Sequence, residues 1–181
     1  MGRPKLTMEK GLIQVYTGNG KGKTTAALGL ALRAVGCGLK VLVVQFMKGS
    51  VDYGEQVSAA RLAPDLKLVK IGREGFVSKS HPDPEDVQRA QEGLSLAREA
   101  VDSGAYDIVI LDEINQAVDF DLISLEDLLR LIDSKPETVE LVLTGRNARS
   151  EVLERADLVT EMVETKHYYK KGIQARKGIE R

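Results

Sequence analysis

The chain has 181 residues, 43% of them hydrophobic and 29% charged, which suits one ordinary domain with a proper core and excludes intrinsic disorder. Its 26 Lys and Arg against 27 Asp and Glu leave a formal charge of −1, so no long-range field gathers nucleic acid. The one cysteine, Cys37, allows neither an internal disulfide nor a four-cysteine zinc site.

Residues 1–10 read as a loose polar arm, with a single domain from 11 to 181. Residues 12–16 (LIQVY) form a short β-rich run, and 24–35 carry Ala and Leu at helical spacing until Gly36 and Gly38 stop them. Val41–Phe46 is continuously apolar, as a strand covered on both faces would be. The longest apolar run, residues 41–44, is far shorter than the roughly 20 residues a bilayer requires. No apolar segment follows the basic start, so a cytoplasmic protein without a secretory signal or membrane partner is expected.

Leu66–Ile71 alternates apolar and charged residues, the pattern of a half-buried or edge strand. Residues 80–84 (SHPDP) make a turn, and Pro84-Glu85-Asp86 opens a helix reaching about Asp102. Residues 108–111 (IVIL) form a second buried strand, closing on Asp112 and Glu113. Ser124 caps the next helix, 141–143 form a strand before Thr144-Gly145-Arg146-Asn147, 150–156 a short helix and 158–163 a last strand. This alternation predicts an α/β protein: a three-layer α/β/α sandwich on a mainly parallel sheet. In such sheets ligands bind beyond the carboxyl ends of the strands.

The first strand leads into Thr17-Gly18-Asn19-Gly20-Lys21-Gly22-Lys23-Thr24-Thr25 and then directly into a helix. Strand, glycine-rich turn, Gly-Lys-Thr and helix make a phosphate-binding loop, so the expected sandwich is of P-loop NTPase (RecA-like) architecture. The glycines let successive N–H groups turn inward around phosphate, and the helix N-terminus adds its positive end. Lys23 supplies a point charge for phosphate oxygens, and the Thr24 hydroxyl suits magnesium. Thr17 stands where the usual pattern has its first glycine.

An acid at the end of a buried strand beside such a loop is the expected second magnesium contact. Adjacent residues leave a strand in opposite directions, so one of Asp112 and Glu113, rather than both, is expected to face a given ion. If Glu113 activates a water, the chain is an ATPase or kinase; if no water attacks, Glu113 holds the metal instead.

Several stretches together resemble the P-loop-type ATP:corrinoid adenosyltransferases. These are residues 15–29, Arg33-Ala-Val-Gly, Val44-Gln-Phe-Met-Lys-Gly, Leu111-Asp-Glu-Ile-Asn, Leu143-Thr-Gly-Arg, Lys166-His167, and Gly172-Ile-Gln-Ala-Arg-Lys-Gly-Ile-Glu. They span nearly the whole chain in family order, and Thr17 is the family's own variant of the loop.

The resemblance implies transfer of the 5′-deoxyadenosyl group of ATP to the Co(I) of a reduced corrinoid, cob(I)alamin or cob(I)yrinic acid a,c-diamide, with release of tripolyphosphate. Co(I) is already a strong nucleophile, so the protein's tasks are positioning and charge neutralisation. In the family ATP lies with its γ-phosphate deepest in the loop. Carried over, Gly18, Asn19, Gly20, Lys21, Gly22, Lys23, Thr24 and Thr25 hold the triphosphate, with Lys23 and Thr24 catalytic. Thr24 and Glu113 look like ligands of Mg2+ (or Mn2+), Asp112 is a further metal candidate, and Arg33 and Asn19 are weaker nucleotide contacts. Phe76 matches a family aromatic placed over the lower corrin face. Ser78 replaces a tryptophan that relatives commonly carry, and the chain has no Trp. The family also implies a homodimer and a flavoprotein-type electron donor, and the short N-terminal arm here implies a reduced lid.

The remaining readings stay open or plain. A nucleotide-dependent binding module without catalysis is the third alternative. His81 reads as a surface turn residue, and His167 as surface or active-site edge. Cys37 reads as small filler. The Lys/Arg-rich tail from Lys166 reads as a solvated face or a contact to corrinoid carboxamides or nucleotide phosphates, and one of Thr144, Arg146 and Arg149 as a phosphate sensor.

Overall fold

A computed structural model describes residues 8–49, 54–73, 75 and 77–180. Six strands form one parallel sheet: β1 (Ile13–Thr17), β2 (Val41–Phe46), β3 (Leu66–Ile71), β4 (Ile108–Asp112), β5 (Glu140–Thr144) and β6 (Leu158–Glu161). Their spatial order is β3-β2-β4-β5-β1-β6, and every pairing is parallel. The connections carry α1 (Lys23–Gly36), α2 (Gly54–Arg61), α3 (Pro84–Asp102), α4 (Ile114–Asp119), α5 (Leu125–Asp133) and α6 (Ser150–Arg155).

The period-2 alternation of each strand sends its side chains into two cores. Leu42, Val44, Phe46, Val109, Leu111, Leu141 and Leu143 face one side, packed against α3, α4, α5 and α6 residues such as Leu94, Ile114, Leu128 and Val152. Val41, Val43, Ile108, Ile110 and Val142 face the other, against Ala27, Ala31 and Ala34 of α1 and Ala59 of α2. The expected three-layer sandwich is therefore present. All six residues of β2 are buried, whereas β3 pairs only with β2 and stands at the sheet edge.

Local chemistry sets the helix starts. Asp83 caps α3 by accepting from the Glu85 N–H, with Pro84 in the first turn. Ser124 caps α5 by accepting from the Asp127 N–H at 3.0 Å. Two expectations needed adjustment: β1 runs one residue later than read, and β6 stops at Glu161, with all four of its residues exposed. Cys37 is exposed rather than filler.

At the site end of the sheet, two non-glycine residues that directly follow their strands lie in the left-handed region. Met47, just past β2, has φ 57°, and Glu113, just past β4, has φ 64°. Such conformations cost free energy and persist where surrounding contacts enforce them.

Candidate functional site

The loop after β1 is built around its neighbours as well as its own glycines. Gly18 has φ 92°, and a Cβ there would lie 2.5 Å from the Met162 carbonyl oxygen, so only glycine fits. The Gly20 N–H donates to that same carbonyl at 2.6 Å, tying the loop to the segment after β6. Thr17, 9% exposed, accepts a long 3.4 Å bond from the Ala148 N–H and so joins the end of β1 to the loop after β5.

Lys23 begins α1 and is buried. Its ammonium donates to the carbonyls of Gly18 at 2.7 Å and Gly20 at 2.8 Å, folding across the mouth of the loop. Burial lowers its pKa, while the nearby Glu113 charge opposes that shift. A phosphate in the loop would replace two neutral carbonyls with charged oxygens, the stronger partners for an ammonium.

The two acids divide their work. Asp112 is 1% exposed. One of its oxygens accepts from the Thr24 hydroxyl (2.8 Å) and the Thr144 hydroxyl (2.7 Å), and the other from Gln45 Nε2 and Lys48 Nζ, both at 3.0 Å. These four bonds use the four acceptor positions of a carboxylate. Glu113, turned out of the strand by its positive φ, donates its N–H to Thr144 Oγ1 at 2.9 Å. Its Oε2 is buried and has no hydrogen-bond partner among the described residues. Burial chiefly, and then the Asp112 charge, push the Glu113 carboxyl above its usual pKa.

A cation would satisfy that orphaned oxygen. A hard divalent ion takes carboxylate and hydroxyl oxygens, and its charge would offset the cost of ionising Glu113. Thr24 spends its proton on Asp112, which leaves its lone pairs for a metal. Thr24 and Glu113 would therefore suit such an ion, and Asp112 orients the Thr24 hydroxyl from behind.

A cavity of about 650 Å3 opens over the loop, lined by residues from Asn19 to Thr25 together with Lys48, Glu113 and Arg146. Gly178, Ile179, Glu180 and His167 form a further part of its wall. This C-terminal stretch is pinned by Glu180, which accepts from the Tyr168 hydroxyl, from Arg176 Nη2 at 3.1 Å and from the Arg176 N–H at 2.8 Å. The Arg176 guanidinium also lies 5.0 Å from the Tyr168 ring centre. A second cavity of about 320 Å3, walled by Phe46, Met47, Val77 and Phe120, adjoins the first. Lys48 and Glu113 line both.

Of the residues singled out in the sequence, Asn19, Gly20, Lys21, Gly22, Lys23, Thr24, Thr25 and Glu113 meet at the first cavity. Gly18 contributes the carbonyl that holds Lys23, and Asp112 sits behind Thr24. The structure does not bring Arg33 there. It lies in the last turn of α1, roughly 15 Å along the helix from Lys23, and its charge acts on Tyr16 instead. Phe76 lies outside the described residues, while Gly75 and Val77 on either side of it line the second cavity. Arg146 and His167 reach the first cavity, His81 is exposed, and Thr144 bonds Asp112 rather than facing a ligand.

Sequence reasoning missed Lys48, Glu55 and Ser58, which also line the first cavity. Lys48 had a usable signal, a cation just past a buried strand at the carboxyl edge of the sheet. Glu55 and Ser58 sit on α2, whose largely polar GEQVSAAR stretch carries no apolar periodicity.

A parallel sheet with a glycine-rich strand-to-helix loop, an inward lysine and a strand-end acid defines a P-loop nucleotide-binding protein. A KaiC-like protein from Pyrococcus horikoshii shares this fold, with a TM-score of 0.55 at 15% identity over 87% of this chain and 82% of that one. The profile of the family described as ATP:corrinoid adenosyltransferase BtuR/CobO/CobP matches residues 9–181. A corrinoid adenosyltransferase from Sinorhizobium sp is 39% identical over 96% of this chain and 82% of its own length, and one from Pseudomonas aeruginosa 37% over 95% and 84%. Corrinoid adenosyltransferase CobA of Salmonella typhimurium is 35% identical over 95% and 86%. The chain belongs to the ATP:corrinoid adenosyltransferase family, a family of transferases.

Proposed function

We propose that this protein transfers the 5′-deoxyadenosyl group of ATP to the Co(I) centre of a reduced corrinoid and releases tripolyphosphate. The observation that carries the reading is the junction of the two cavities. The polar cavity holds the phosphate loop, the apolar one adjoins it, and they share the Lys48–Glu113 wall. A reaction joining a triphosphate's sugar carbon to a large, flat partner needs such an arrangement.

In the transfer the cobalt electron pair forms the bond to C5′, and the C5′–O5′ pair departs on the α-phosphate oxygen of tripolyphosphate. No proton moves, so no general base is required. The chain's own contribution is to hold the leaving anion: loop N–H groups around phosphate, Lys23 as a charge inside the loop, and Arg146 on the cavity wall. Thr24 and Glu113 would hold Mg2+ (or Mn2+), which neutralises phosphate charge when bound. The Glu180 clamp keeps Gly178 and Ile179 at the mouth, narrowing solvent access. A homodimer, a flavoprotein-type reductant and a cytoplasmic setting belong to the same reading.

The buried Glu113 carboxyl, with its raised pKa, also suits a base for water in an ATPase or kinase. One experiment separates the two. Protein incubated with ATP, magnesium and chemically reduced cobalamin should yield adenosylcobalamin and tripolyphosphate, whereas ADP and phosphate alone would overturn the transferase reading.

A further inference from the structure

We infer that Lys48 is a catalytic cation of the transfer step, placed to receive the negative charge that develops on the α-phosphate as the C5′–O5′ bond breaks. The inference rests on the proposed reaction and adds a residue to it. Lys48 lines both cavities, whereas Lys23 and Arg146 line only the nucleotide side. The breaking bond lies where nucleotide and acceptor meet, and among the described residues Lys48 is the cation at that junction. A charge placed where charge develops stabilises the transition state more than the ground state, and that difference is what accelerates a step.

The backbone around Lys48 is built to hold it. Met47, immediately before it, turns the chain through φ 57° at the end of β2. Gly72, just past the neighbouring β3, approaches so closely that a Cβ there would lie 2.8 Å from both the N and the O of Lys48. The ammonium is anchored by Asp112 Oδ2 at 3.0 Å and Glu55 Oε1 at 3.5 Å, and the side chain is only 16% exposed. A cation fixed in advance by two carboxylates reorganises little when the leaving group charges, unlike a mobile surface lysine.

A purely structural lysine, present only to neutralise Asp112, would show itself in folding and ground-state affinity. The test compares Lys48→Gln and Lys48→Arg in the full chain. It measures the single-turnover rate of adenosylcobalamin formation from magnesium ATP and chemically reduced cobalamin, and ATP affinity by calorimetry. Lys48→Gln should slow the turnover by about a hundredfold or more while changing the ATP dissociation constant less than about threefold. Lys48→Arg, which keeps the charge, should recover at least about a tenth of the wild-type rate. An unchanged rate in Lys48→Gln overturns the inference, and so does a loss confined to ATP affinity. Should Lys48→Gln fail to fold, Lys48→Met, which keeps the aliphatic stem, carries the same comparison, and a variant set in which none folds but Arg shows a structural cation. Wild-type protein that makes no adenosylcobalamin would instead overturn the transferase reading itself, and the inference with it.

Discussion

The Thr24 hydroxyl donates to Asp112 at 2.8 Å and so ties the first turn of α1 to the end of β4, 88 residues away. That bond joins the phosphate loop to the strand-end acid before any ligand arrives. Asp112 holds Thr144, Gln45 and Lys48 in the same way, which makes it the hub of the nucleotide site.

Removing that hub should be costly. Asp112→Ala would leave two hydroxyls, an amide and a partly buried ammonium without their acceptor. Removing one partner of a largely buried ion pair typically costs about 3–5 kcal/mol, and Glu55, 3.5 Å from the Lys48 ammonium, offsets only part of that loss. Urea unfolding monitored by circular dichroism should show the midpoint falling steeply in Asp112→Ala and less in Asp112→Asn, which retains one acceptor. Equal midpoints for wild type and the alanine variant would refute the hub.

Lys23→Ala should behave in the opposite way. Burial penalises the Lys23 charge, so the ligand-free fold should tolerate its loss with little change in thermal midpoint. Adenosyl transfer should fall by at least about a hundredfold, on the scale of deleting one transition-state donor. Full activity in this variant would remove Lys23 from the mechanism.

The contrast between Lys23 and Asp112 also shows what a linear sequence can display. The loop was legible because its glycines, lysine and threonine are contiguous and their spacing encodes the turn. The buried strands were legible because an unbroken apolar run such as Val41–Phe46 has few other uses. The division of labour between Asp112 and Glu113 was visible only as an expectation that one of them faces the ion. Which carboxylate is left with an oxygen for an ion depends on donors from β2, α1 and β5 and on the left-handed turn at Glu113, none of which is local. The helix α2 escaped because its residues are mostly polar and exposed, with only Ala59 buried. The C-terminal wall was visible as a family pattern, but its clamp depends on Tyr168 and Glu180 meeting across 12 residues.

Glu113 gives a test of the metal site. Its carboxyl is raised, so the folded protein binds that proton more tightly than the unfolded chain does. The sign follows: above the raised folded value, ionised Glu113 costs the ligand-free fold stability, and the cost fades as pH falls toward the ordinary carboxylate range. Glu113→Gln should therefore raise the thermal midpoint of the ligand-free protein at neutral pH, by about 2–4 °C for each kcal/mol regained. The same variant should lose the added stability that magnesium ATP gives wild type. A variant melting lower than wild type without ligand, yet still stabilised by magnesium ATP, would contradict both parts.

The C-terminal clamp should open in acid. Arg176 first, then Tyr168, hold the Glu180 carboxyl down at about 2, well below the ordinary carboxylate value. A depressed acid contributes stability in full above its unfolded pKa, near 4.3, and loses it as pH falls through that window toward 2. The Tyr168 ring resonances should therefore shift between about pH 4.5 and 2 in a spectrum that follows the aromatic protons. Glu180→Gln should already show the released Tyr168 position at neutral pH, with no further shift over that range. It should also raise the KM for ATP, because Gly178 and Ile179 would no longer be held at the cavity mouth. Tyr168 resonances that ignore both the pH and the substitution would show that Glu180 does not fasten this wall.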